Sequence, residues 1–129
     1  MAKKICMFFG FILLTVALNA INLSELRIIA KDGIFLGTFE NEYSSNSIYN
    51  EYGNYGSPYN SKSIFNKYGD YGSDYSNSSP FNAYATNPPG LYDRNGNFYG
   101  TLSVNRYAQR VTDYSYRLAL QLKAIRDSM

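Results

Sequence analysis

The thirteen residues Ser47–Tyr59 return sixteen positions later as Ser63–Tyr75, with Ser-Ile-Tyr/Phe-Asn-x-Tyr-Gly-x-Tyr-Gly-Ser-x-Tyr common to both. A worn third copy opens at Ser79-Pro80-Phe81-Asn82-Ala83-Tyr84, again sixteen residues on. Repeated units reuse one local structure and one set of contacts. A disordered tract keeps its composition but has no reason to hold each Tyr and Gly in register. The middle of this chain is therefore expected to be a small array of ordered units. It lacks the aliphatic residues of a conventional core, which cluster instead at Leu26–Phe39 and Leu91–Ile125. Either its aromatic rings dock against those two ends, or this middle stays disordered.

A second repeat frames the first. Asp32-Gly33-Ile34-Phe35-Leu36-Gly37-Thr38-Phe39 is followed by Asn41-Glu42-Tyr43. Asn95-Gly96-Asn97-Phe98-Tyr99-Gly100-Thr101-Leu102 is followed by Asn105-Arg106-Tyr107. Both read Asp/Asn-Gly, x-Phe-x-Gly-Thr-apolar, then Asn-x-Tyr, with one residue skipped for the tails to match. Asp-Gly and Asn-Gly between extended runs signal hairpins, with positive φ at both central residues if the turn is type I′. This predicts one hairpin from Leu26–Ala30 with Ile34–Phe39 and another from Gly90–Asp93 with Asn97–Val104. A lone hairpin is marginal in water, so the two are expected to join into one sheet around the repeats.

Glycine every third residue in Tyr-Gly-x-Tyr-Gly argues against strands in the repeat unit. The expected unit is a capped helical turn, with Ser47 and Ser63 as N-caps and Gly53 and Gly69 at the left-handed position after the last turn. The residues at 48/49, 64/65 and 81 then point inward. At the C-terminus, within 110–129, Val111, Tyr114, Leu118, Leu122 and Ile125 form an apolar stripe at helical spacing, widened by Leu120 and Ala124. A helix over about 112–126 follows, capped by Thr112 or Asp113, with Lys123 and Arg126 favourably placed in its last turn.

Residues 1–20 read as a secretory signal peptide: Lys3 and Lys4, then the apolar run Ile5–Leu18, too short for an ordinary membrane span, then the small residue Ala20. Thr15-Val16-Ala17 is a second candidate cleavage site, and a retained N-terminal membrane anchor is the alternative. Cleavage leaves residues 21–129 as a single small domain without the sole cysteine, Cys6, and hence without a disulfide. It also removes two of the 12 Lys and Arg, leaving ten basic residues against 10 acidic ones. That balance argues against a nucleic-acid partner, which needs a basic face. It equally argues against charge-driven membrane binding once the signal is gone.

The chain has no histidine. Imidazole bases, Ser-His-Asp and Cys-His systems, and thiolate or imidazole metal sites are therefore not expected. No cofactor or metal is implied. Asp93-Arg94-Asn95-Gly96-Asn97 resembles a calcium loop only faintly, because its glycine is misplaced and no bidentate Glu follows; a hairpin turn explains it better. Scattered carboxylates leave a hydrolase as a remote alternative. The tyrosines remain, and Tyr52, Tyr55, Tyr68 and Tyr71 are the candidate binding residues. Such rings can stack on sugar faces, substitute for an aliphatic core, or drive self-association.

These motifs, over residues 32–107, resemble a group of small, uncharacterised exported bacterial proteins, notably cyanobacterial ones. The resemblance implies a bacterial exported protein and no activity. The chain departs from it at the third copy, where Ala83, Ala85 and Thr86 replace the Tyr-Gly core, and the C-terminal helix lies outside it. In such a source the sequons Asn22-Leu23-Ser24 and Asn77-Ser78-Ser79 carry no glycan. The combined expectation is a small α+β domain: two related hairpins in one sheet, Tyr/Gly repeats between them, and a covering helix. Its expected role is a non-enzymatic structural or binding module of the periplasm or cell envelope. Cell-wall glycan is the leading partner and a self-assembling or adhesive protein the alternative.

Overall fold

The computed structural model describes residues 21–129, and the expected signal segment lies outside the described residues. After a short 3-10 turn at Leu23–Glu25 come strands β1 (Arg27–Ile29), β2 (Phe35–Thr38), β3 (Gly90–Tyr92) and β4 (Phe98–Thr101), then helix α1 (Asp113–Asp127). The strands form one antiparallel sheet in the order β2-β1-β3-β4. The two hairpins meet through their first strands, β1 against β3, so each protects the other's open edge.

The hairpins are copies of one another in detail. Ile28 faces Gly37 and Leu91 faces Gly100, and a bulge follows each of these pairs at the same place. Each turn is closed by a backbone hydrogen bond, from the Gly33 N–H to the Ala30 carbonyl and from the Gly96 N–H to the Asp93 carbonyl. Positive φ falls on Gly33 and Gly96, but not on Asp32 or Asn95. The connection is thus a three-residue turn ending in a left-handed glycine rather than the type I′ turn expected from the dipeptide. The likeness runs on past the strands. The Thr38 N–H donates to the Asn46 carbonyl, and the Thr101 N–H donates to the Arg110 carbonyl.

Between the hairpins the chain winds as a spiral of β-turns. Hydrogen bonds link Ser44 to Asn41, Ser47 to Ser44, Asn50 to Ser47 and Gly53 to Asn50, and then Ser57 to Gly53 across four residues. The series starts again with Asn60 to Ser57, Ser63 to Asn60, Asn66 to Ser63 and Gly69 to Asn66, then Ser73 to Gly69. Four steps of three residues and one of four make up the sixteen-residue repeat. No helix forms over these residues, the four-residue turns begin at Gly53 and Gly69 rather than end there, and neither glycine has positive φ, so the expectation of helical turns capped by Ser47 and Ser63 is corrected. The cause lies in the Ser or Asn that opens most steps. Its side-chain oxygen accepts the N–H two residues on, as in Ser47 to Tyr49, Asn50 to Tyr52, Ser63 to Phe65 and Asn66 to Tyr68. Such local bonds compete with helix propagation and hold each turn separately.

Long-range bonds repeat in register too. The side-chain amides of Asn50, Asn66 and Asn82 donate to the carbonyls of Ser44, Asn60 and Ser76, each six residues back. Ser47, Ser63 and Ser79 are fully buried beside the core residues Ile48, Ile64, Phe65 and Phe81. These pack with Leu26, Ile28, Leu36, Leu91 and Leu102 of the sheet region and with Leu118, Ala119 and Leu122 of α1 in one cluster. The third copy loses its Tyr-Gly core because the spiral ends there: Asn82–Ala85 is its last turn, and the Val104 N–H reaches back to the Pro80 carbonyl.

Helix α1 starts where expected. Thr112 and Ser115 form a reciprocal cap, each side chain accepting the other's backbone N–H. Its buried face differs from the expected stripe. Ser115, Leu118, Ala119, Leu122 and Arg126 are buried, while Tyr114, Leu120, Ala124 and Ile125 are turned outward. Arg126 explains the rotation. It is 2% exposed, donates to the Gly72 carbonyl and to the carboxylates of Asp74 and Asp127, and lies 4.9 Å over the Phe81 ring. A charge this deep requires such partners, and all but Asp127 belong to the spiral.

Candidate functional site

The spiral divides its rings by position in the repeat. Tyr55 and Tyr71, sixteen apart, pack against the core. Tyr55 meets the edge of Phe35 at 4.9 Å between ring centroids, and the Tyr71 hydroxyl donates to Asp32 at 3.2 Å. Burial raises the Tyr71 pKa first, and the Asp32 charge and hydrogen bond add to it. Tyr49 tilts against Phe39, and burial likewise raises its pKa. These rings are structural, so two of the four candidate binding residues, Tyr55 and Tyr71, support the scaffold.

Tyr52 and Tyr68 do the opposite. Together with Tyr43, Tyr59, Tyr75, Tyr84 and Tyr107 they are 85% to 94% exposed. Along the spiral these rings fall alternately nine and seven residues apart, from Tyr43 through Tyr84, so each repeat presents two. Among the described residues none of the seven has a side-chain hydrogen bond, and none stacks on another ring or a cation. Sequence reasoning singled out only Tyr52 and Tyr68 of this set. The signal for the others was present: each follows by two residues a Ser or Asn that accepts its N–H, as Ser57 does for Tyr59 and Asn82 for Tyr84. That bond fixes the backbone at each exposed ring without touching the ring itself.

Two depressions lie beside these tyrosines. One, of about 430 Å³, is lined by Tyr59, Tyr68, Lys67, Asn66 and the buried Phe65 and Arg126, among others. The other, of about 340 Å³, is lined by Tyr84, Lys31, Asn105 and Gln109 among others. Both are partly open to solvent, and both combine an exposed ring with amide and ammonium groups.

The Asp93 loop is fully engaged as a turn. Its carboxylate accepts the N–H groups of Asn95 and Asn97, the Asn97 side-chain amide and the Tyr99 hydroxyl. The Asn97 amide is the largest cause of its lowered pKa. Among the described residues no three His, Cys, Asp or Glu side chains gather as a metal site would. No helix among them is long and apolar enough to cross a membrane. No family model, curated protein or solved structure matches this chain.

Proposed function

We propose that the protein is an exported, non-enzymatic binding module whose turn spiral offers tyrosines to the sugar rings of a cell-envelope glycan. The observation that carries this reading is the set of seven nearly fully exposed tyrosines on hydrogen-bonded turns. An isolated exposed ring needs no explanation. Rings repeated in register on a scaffold that does not use them for packing do need one. Aromatic faces bind by burying area with little loss of side-chain freedom, and the Asn and Ser groups around them can meet hydroxyls.

The test is retention of residues 21–129 on immobilised peptidoglycan and polysaccharides. Retention that is lost in Tyr52→Ala/Tyr68→Ala, with an unchanged melting temperature, supports the reading. Absence of retention on every glycan, or concentration-dependent oligomers by sedimentation that disappear in the same variant, overturns it in favour of self-assembly.

A further inference from the structure

Resting on that glycan-binding reading, we infer that the two tyrosine-lined depressions select sugars carrying a carboxylate, the uronate class, through Lys67 and Lys31. Residues 21–129 hold ten basic side chains. Arg94, Arg106, Arg117, Lys123 and Arg126 are committed to ion pairs. Arg27 and Arg110 lie over the rings of Phe35 and Phe98. Among the described residues this leaves Lys31, Lys62 and Lys67 without an acidic or aromatic partner. Two of these three line the two depressions beside exposed tyrosines, and they come from unrelated parts of the chain: Lys67 from the second repeat, Lys31 from the first hairpin turn.

Neither depression has an acidic side chain among its lining residues, and the buried Arg126 also lines the first, although residues 21–129 hold as many acidic as basic side chains. The equivalent of Lys67 is Glu51 in the first copy and Ala83 in the third, so the charge belongs to one subsite rather than to the repeat. A pyranose stacked on Tyr59 or Tyr68 presents its ring substituents at the stack's edge. A carboxylate there finds the Lys67 ammonium, and at the second depression it finds Lys31; the Asn66 and Asn105 amides each already donate to a backbone carbonyl, of Asn60 and Ala83, and have one N–H left to offer. Lysine suits this role because it needs no fixed fork geometry and adapts to a mobile polymer.

Binding is measured by calorimetry against polygalacturonate, against amylose as a neutral glycan, and against poly-L-glutamate as an anion without sugar rings. Polygalacturonate is expected to bind best, weakening as salt rises. Lys67→Gln and Lys31→Gln each lower that affinity roughly threefold to fivefold, as for an exposed ion pair. Lys62→Gln, at the third free lysine, leaves it unchanged, and all three variants keep the parent melting temperature. Equal binding of amylose and polygalacturonate, or indifference to both lysine substitutions, overturns the selectivity and leaves glycan binding standing. Binding of poly-L-glutamate as tight as that of polygalacturonate overturns it as well, by reducing the site to charge. Absence of binding to either glycan overturns the selectivity, and retention on peptidoglycan then decides separately whether the underlying reading stands.

Discussion

The second glycine of each Tyr-Gly-x-Tyr-Gly motif is the most demanding position in the fold. A Cβ on Gly72 would sit 2.5 Å from the Ile64 carbonyl oxygen and closer still to that of Asn66, and one on Gly56 would sit 2.6 Å from the carbonyl oxygen of Ile48. These are backbone atoms, and the Asn66 carbonyl already accepts the Gly69 N–H. They cannot rotate away as a side chain would. The first glycine is different. The atoms nearest to a Cβ on Gly69 all belong to the Asn66 side chain, at 3.1 Å and beyond. Neither Gly69 nor Gly72 has positive φ, so alanine is conformationally acceptable at both and only space separates them. Overpacking typically costs 1–3 kcal/mol, and a purely backbone clash belongs at or above the top of that range. Gly72→Ala is therefore expected to cost about 3 kcal/mol or more, lowering the melting temperature by roughly 10–20 °C for a domain of this size. Gly69→Ala should stay within about 1 kcal/mol of parent, because a small side-chain shift is offset by reduced freedom of the unfolded chain. Thermal unfolding followed by circular dichroism and calorimetry reads both. Equal melting temperatures for the two variants, or a Gly72→Ala protein as stable as the parent, would refute the packing of one turn upon another.

Arg126→Met removes the charge that joins α1 to the spiral. Because Asp74 and Asp127 are half exposed and can rehydrate, the expected loss is about 2–3 kcal/mol, read by urea unfolding. Tyr71→Ala should lower the melting temperature measurably while Tyr68→Ala leaves it unchanged, since only the former ring packs on the core. Stability should be nearly flat between about pH 5 and 9, for want of any histidine. On the acid side, Ser44 and Thr38 hold Glu40 below its ordinary pKa, Lys123 and Arg126 do the same for Asp127, and Asn97 for Asp93. A lowered folded pKa gives stability that is present above the unfolded value, about 4, and lost as pH falls through the folded one. On the alkaline side Tyr49, Tyr71 and Tyr114 are raised by burial, and Tyr99 by its hydrogen bond to Asp93. Their contribution is present below the unfolded value, about 10, and lost as pH rises through the folded one. Melting temperatures across a pH series, with a Tyr71→Phe control, check both limbs.

The hairpins were legible from local chemistry, the Asp-Gly and Asn-Gly turns, their pairing from the marginal stability of a lone hairpin, and the start of α1 as a choice between Thr112 and Asp113, which the Ser115 partner decides for Thr112. The spiral was legible as a repeat but not as a conformation. Ser at 47 and 63 followed by an apolar pair reads equally as a helix cap and as a side-chain-closed turn. The deciding feature, an Asn or Ser at nearly every third position, is weak at any single place and strong only in series. The face of α1 was misjudged because hydrophobic spacing alone cannot anticipate a buried arginine, whose partners, the Gly72 carbonyl and Asp74, come from more than fifty residues away. The division of tyrosines into packed and exposed sets followed the same pattern. Ring chemistry is identical at Tyr68 and Tyr71, and only their places in the turn series separate them.

Amide hydrogen exchange at Tyr49, Phe65 and Phe81 bears most directly on the spiral as an ordered scaffold. In each copy this N–H donates to the hydroxyl of a fully buried serine, Ser47, Ser63 or Ser79. All three amides should exchange slowly and to a similar extent, approaching the protection of Ile28 and Leu91 in the central strands. Exchange at the rate of an unstructured chain, or three unrelated rates, would contradict a common turn structure and leave the exposed tyrosines without a frame.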